Sequence, residues 1–208
     1  MTSSLTTFVA KTKLLSSKQL SPLGQAALST LREKGYTIGV GLPEDMIGSI
    51  RKMAQESSIQ EYCLNDSTNR FKNKAAAAHW LSHGRVVFLL FRQTENGKKE
   101  LAGYGWVGTK THSRVAGGQA TFAVRIGEAH QGLGLATPYT RAMLDAAIRV
   151  FDFNHLWLEA WASNANAIHV YQKLGLRVVA EQSDTRIRPN GEQVPDNRLY
   201  MELAGPLL

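Results

Sequence analysis

Apolar positions recur along this chain with two different spacings, and the change of spacing organises it. Ser21-Pro22 predicts a helix start, with a capping residue followed by proline at the first helical position. Leu23, Ala26, Ala27, Leu28 and Leu31 then form one apolar side, and Gly35 ends the helix. "YTIGV", 36–40, predicts a strand. Pro43 predicts the start of a second helix, where Met46, Ile47, Ile50 and Met53 recur at helical spacing. An alanine-rich helix is expected from Asn69 to Ser82, stopped by Gly84.

From there the spacing becomes that of strands. "RVVFLLFRQ" is a β-branched and aromatic run, and "ENGK" after it carries the Asn-Gly pair of a tight turn. "ELAGYGWVGT" is the expected return strand and "QATFAVRIG" a third. Tyr139, Met143, Leu144, Ala147, Ile148 and Phe151 then mark a helix of about four turns. "HLWLEAW" predicts a buried strand, "NANAIHVYQKLG" a short helix ended by Gly175, and "LRVVAEQ" and "NRLYMEL" two strands joined by a turn at "RPNG". Antiparallel hairpins followed by strand–glycine loop–helix–strand–helix–strand predict a mixed α/β sheet in one domain, residues 35–208. Residues 1–34 are expected to form an N-terminal extension with one helix.

The most informative stretch is "HQGLGLATP", 130–138, which places Gly132, Gly134 and Ala136 two apart at a helix threshold. Unpaired backbone N–H groups and the helix dipole converge at such a point, so an anion is the natural ligand. A Walker loop is excluded, because no Gly-Lys-Ser or Gly-Lys-Thr follows. A dinucleotide fingerprint lacks its third glycine, since residue 137 is Thr, although Glu159 lies where that motif wants an acid. A helix entry that simply needs small residues remains an alternative.

Read as Gln-x-x-Gly-x-Ala (Gln131, Gly134, Ala136), the loop resembles the acyl-CoA motif of the GNAT superfamily of N-acyltransferases. About thirty residues later "LWLEAWASNANAIHVYQKLGL" resembles that superfamily's second motif, with Asn164, Ala167, Tyr171 and Gly175 at its spacing. The likeness covers residues 124–176 closely, and "LWLE" and "ASNANAI" look most like the ribosomal-protein N-terminal alanine acetyltransferases. Ala136 stands for the commoner glycine, Leu176 for the commoner aromatic, and "GEAH" for a loop that usually carries proline.

The resemblance implies an α+β fold, a mostly antiparallel sheet flanked by helices, and acetyl transfer from acetyl-CoA to a primary amine in a ternary complex. It implies that Gln131, Gly132, Leu133, Gly134, Leu135, Ala136 and Thr137 hold the cofactor's pyrophosphate. Val124, Arg125 and Ile126 would pair with the pantetheine arm, a backbone N–H there polarising the thioester carbonyl. Tyr171 matches the general acid that protonates the leaving thiolate, and Asn164 fits a cofactor contact or a helix cap. Glu159 matches the base, with Glu128 and ordered water as alternatives. Strand alternation places Trp157 and Trp161 on the face of Glu159 and Leu158 and Ala160 on the other, so two indoles are expected to desolvate the carboxylate. His130 is expected on the loop surface.

Composition narrows the partners. The chain has 208 residues, a net charge of +7, 43% hydrophobic and 20% charged residues, and no consecutive basic run. That permits the phosphates of a small cofactor without suggesting a nucleic-acid arm. Its single cysteine, Cys63, excludes an intrachain disulfide and a cysteine zinc cage, which fits a reducing, cytoplasmic compartment. His155 and His169 have no ligand spacing with any acid, so no metal is expected. No apolar run approaches the ~20 residues that span a bilayer. Lys11, Lys13 and Lys18, with no acid before Glu33, leave a transit peptide as an alternative to a loose extension. A monomer or homodimer is expected. The competing functions are a non-catalytic acyl-CoA-binding module and a dinucleotide-dependent oxidoreductase.

Overall fold

The computed structural model describes residues 12–203, so residues 1–11, including Lys11, lie outside it. The strands are β1 (Lys13–Leu14), β2 (Tyr36–Val40), β3 (Arg85–Gln93), β4 (Lys99–Thr109), β5 (Ala120–Ile126), β6 (Leu156–Trp161), β7 (Leu176–Ile187) and β8 (Gln193–Leu203). They form one sheet in the order β1-β2-β3-β4-β5-β6-β8-β7. Every neighbouring pair is antiparallel except β5 and β6, which run parallel. The helices are α1 (Pro22–Glu33), α2 (Met46–Met53), α3 (Ser57–Asn65), α4 (Lys74–Ser82), α5 (Ala136–Phe151) and α6 (Ala165–Lys173).

Alternation along the strands divides the buried side chains between two faces. Phe88, Leu90, Phe122, Leu158 and Ala160 meet α1 and the Tyr139–Ala147 stretch of α5 in one core. Val87, Leu89, Phe91, Tyr104 and Trp106 meet Ile47, Ile50, Ile59 and Leu81 of α2, α3 and α4 in the other. The long helix α5 therefore covers one face and the short helices cover the opposite one.

Helix α1 belongs to the first core through Ala27, Leu28 and Leu31. Ser21 caps it as the sequence predicts, its Oγ accepting from Gly24 N at 3.2 Å, while Asp145 of α5 accepts from Ser21 N at 2.8 Å. Gly24 is what allows that approach: a Cβ there would clash with Asp145 Oδ2 and lie 2.8 Å from its Cγ. Gly24→Ala should therefore destabilise the protein by about 1–3 kcal/mol, overpacking outweighing alanine's better helix propensity. Gly48→Ala in α2, where nothing lies within 4 Å of the added Cβ, should stabilise it by about 0.5–1 kcal/mol. Urea denaturation of the two variants checks both signs.

The helices before the sheet depart from the sequence pattern. α2 begins at Met46, three residues after Pro43, and α3 has no counterpart in the predicted elements. The helix expected from Asn69 is α4, which starts only at Lys74, because Asn73 is extended and its side chain accepts from Ala76 N. Residues Asp66–Arg70 form a single wide π-helical turn instead.

Candidate active site

The cleft opens where β5 and β6 part. They pair only through Ala120↔Leu156 and Thr121↔Trp157, after which β6 continues along β8. Gly127 N donates to Ala102 O, and the carbonyl of Arg125 lies against Gly103, so these backbone groups serve β4. Antiparallel alternation then turns the N–H groups of Val124 and Ile126 into the gap, while their carbonyls accept from Arg125 Nη1 and Gln131 Nε2, each at 2.9 Å. An extended ligand could accept from the N–H groups of these two residues. Their side chains pack toward α5, whereas Ala123 packs toward the short helices.

One end of this gap is the glycine loop. Gly132 and Gly134 have φ of 74° and 68°, the left-handed region that glycine enters at little cost. A Cβ on either would meet nothing within 4 Å, so the backbone is bare on that side. Leu135 precedes α5 without capping it, and no acid occupies the first turn, which leaves the helix N-terminal N–H groups for an anion. Gln131 braces the loop, its Nε2 donating to Ile126 O and Ser58 Oγ, both at 2.9 Å. Gln131, Gly132, Gly134, Leu135, Ala136 and Thr137 all line a cleft of about 1200 Å³; Leu133 instead projects outward. This uncapped, side-chain-free entrance is open to an anion.

The remaining sequence-derived residues divide. Tyr171 on α6 lines the cleft, edge-on to Phe122 of β5 with ring centroids 6.0 Å apart. Burial pushes its phenol up to about 12, the Arg125 guanidinium acting in the opposite direction. Asn164 caps α6 by accepting from Ala167 N at 3.3 Å and also borders the cleft. Glu159 lines it too, and as expected Leu158 and Ala160 enter the α5 core while Trp157 packs on the opposite side with Val115 and Tyr200. The indoles do not enclose the carboxylate. It is exposed and faces Nζ of Lys110 at 4.0 Å; Lys110 follows β4, and its carbonyl accepts from Trp157 Nε1 of β6 at 2.8 Å. Glu128 is not brought to the cleft lining: its carboxylate accepts from Ser58 N at 2.7 Å at the start of α3.

His130 corrects the expectation of a surface loop residue. It is buried, with Nδ1 3.1 Å from the Tyr36 hydroxyl and Nε2 3.9 Å from Glu100, and so anchors the glycine loop to β2 and β4.

Pattern reading missed the charged wall opposite the loop. Asp66, buried in the π-helical turn, receives Arg125 Nε at 3.1 Å and Nη2 at 2.9 Å, Arg70 at 2.9 Å and the Tyr104 hydroxyl at 3.4 Å. Arg186 of β7 meets Glu61 of α3 at 2.6 Å and Asp196 of β8 at 3.0 Å, fastening α3 to the β7–β8 hairpin. Tyr62 adds a bond from its hydroxyl to the Ser163 carbonyl at 3.3 Å. The i,i+4 pair Asp66/Arg70 was the available sequence signal; the Arg125 and Arg186 partners had none. Among the described residues no cluster of three or more His, Cys, Asp or Glu could hold a metal ion, and no helix is long and apolar enough to cross a membrane.

The chain has known relatives in sequence and in fold. A 63-residue segment is 36% identical to the spermidine N(1)-acetyltransferase of Escherichia coli K12, covering 30% of this chain and 34% of that enzyme. The chain thus matches about a third of the length of its curated relatives. The crystal structure of spermidine N-acetyltransferase from Vibrio cholerae in complex with CoA and spermine is similar in fold, with a TM-score of 0.62 at 16% identity over 82% of this chain and 96% of that one. A Salmonella typhimurium protein solved with its cofactor acetyl-CoA gives a TM-score of 0.58 at 18% identity, covering 81% and 93% of the two chains. The model of the acetyltransferase (GNAT) domain matches residues 42–177. With that match extending over most of its length, the chain belongs to the GNAT family of acetyltransferases.

Proposed function

We propose that the protein is an acetyl-CoA-dependent N-acetyltransferase that acylates a primary amine by direct attack. The observation that carries this reading is the bare entrance at Gly132 and Gly134 opening into the same cleft as the parted edge of β5 and Tyr171. Acetyl-CoA, when bound, supplies the thioester acyl group. The loop N–H groups and the α5 N-terminus hold its phosphates, and the Val124 and Ile126 backbone aligns its arm. An N–H on that strand polarises the thioester carbonyl, an interaction typically worth a few kcal/mol. Tyr171 holds the proton that the departing sulfur takes.

The amine must lose its ammonium proton before it attacks. We assign that work to Glu159, directly or through a water; its carboxylate lines the cleft, whereas Glu128 accepts from Ser58 N at the start of α3. Glu159→Gln should lower turnover by on the order of 10²- to 10⁴-fold and remove the acidic limb of the pH–rate profile. Sign follows from role: a base works only when deprotonated, so activity rises with pH through its titration and the amide has none. Thiol release measured across pH checks it. An unaltered profile in Glu159→Gln, with the limb lost instead in Glu128→Gln, transfers the role to Glu128.

A further inference from the structure

Four carboxylates line the cleft, and each already faces a base. Glu61 pairs with Arg186, Asp66 with Arg70 and Arg125, Glu159 with Lys110, and Asp184 with Arg198. Asp66 balances two guanidiniums with one negative charge, so its corner carries excess positive charge. Arg70, Arg125 and Arg198 all line this one cleft. Arg198 lies 3.5 Å from the centroid of the Trp161 ring, and its one side-chain ion pair among the described residues is the 3.3 Å contact with Asp184. Stacking holds such a guanidinium in place and leaves its other N–H groups for a planar anion.

The wall lies on the acceptor side. Alternation along β6 puts Glu159 and Trp161 on the face opposite Leu158 and Ala160, which pack with α5, and the glycine loop leads into α5. An acceptor with a second ammonium would meet no unpaired carboxylate there and would be repelled at the Asp66 corner, where one carboxylate faces two guanidiniums. One with a carboxylate would find donors already oriented.

On the basis of the acetyltransferase reading, we infer that the acceptor is an amine that also carries a carboxylate, recognised by Arg198 and Arg70, and that polyamines are disfavoured. The chemistry is shared by small amino acids and by peptides with an acidic residue near the N-terminus.

The test is an acceptor panel followed by thiol release, with acetyl-CoA binding measured separately by calorimetry. 4-(Aminomethyl)benzoate is compared with benzylamine, a peptide with an acidic second residue with its amide counterpart, and spermidine with both pairs. The acid-bearing member of at least one pair should exceed its neutral partner in kcat/KM by about tenfold or more, which is about 1.4 kcal/mol; which pair responds distinguishes small acceptor from peptide. Arg198→Gln should reduce that ratio and improve spermidine, because it removes a cation and frees Asp184. The double variant with Asp184→Asn should lose the improvement. Arg70→Gln, which leaves Arg125 on Asp66, should reduce the ratio independently. Spermidine or the neutral amines as the better substrates, or intact acetyl-CoA binding with no acid-bearing amine acetylated, overturns the inference. Absence of acetyl-CoA binding overturns the reading beneath it.

Discussion

Tyr171→Phe should lower turnover by on the order of a hundredfold while acetyl-CoA binds nearly as tightly as before. The phenol proton matters only as the sulfur departs, so its loss acts on the transition state and leaves ground-state binding almost untouched. At first sight a phenol pushed up to about 12 is a poor donor to a thiolate whose ordinary value is about 8.5. The wall itself answers this. Burial pushes the neighbouring Cys63 thiol up, and a thiolate expelled into an equally desolvated site would likewise be a stronger base than one in water. The raised phenol has a second consequence. An acid works only while protonated, so activity falls as pH rises through its titration; moving that titration from the ordinary 10 to about 12 moves the loss upward. The wild-type pH–rate profile should therefore show no alkaline limb from Tyr171 below about pH 11. Calorimetry and stopped-flow thiol release separate the binding and chemical steps. A wild-type rate in Tyr171→Phe, with chemistry limiting, leaves the tyrosine a packing residue.

How much of this was legible beforehand depended on whether the cause was local. β3 and β5 could be read because runs such as "VVFLLF" have only one sensible burial, and α5 because its apolar residues keep one stripe for sixteen residues. The face of Glu159 followed from strand alternation alone. α3 could not be read, since "SSIQEYCLN" buries only Ile59 and has no stripe. Its position comes from partners far along the chain: Glu128 on Ser58 N, 70 residues away, and Arg186 on Glu61, 125 away. His130 was misjudged for the same reason, as Tyr36 lies 94 residues earlier. The glycine-loop end of the cleft is made of consecutive residues and carries a motif. The charged wall is assembled from α3, the Asp66–Arg70 turn, β7 and β8 and carries none.

Gly134→Glu should abolish acetyl-CoA binding in a protein that still folds. Two separable effects act at this position. The first is strain: φ of 68° is the left-handed region, where a side chain costs roughly 1 kcal/mol or more. That cost falls on stability and not on the ligand. The second is occupation of the cradle. Nothing lies within 4 Å of a Cβ at Gly134, so the new side chain projects without resistance into the space where the phosphates must approach the backbone. It also brings a negative charge to the α5 N-terminus, where it satisfies the same N–H groups and dipole that would hold the anion. An intramolecular carboxylate there competes with the cofactor and repels it at once. Gly97→Glu isolates the strain: Gly97 has φ of 73° and equally open space, but sits in the β3–β4 turn, away from the cleft. That variant should lose a comparable amount of stability and bind acetyl-CoA as the wild type does. Thermal melts matched between the two, with calorimetric binding lost only in Gly134→Glu, assign the anion to the loop. Retained affinity in a folded Gly134→Glu protein would falsify that assignment and move the phosphates elsewhere along the cleft.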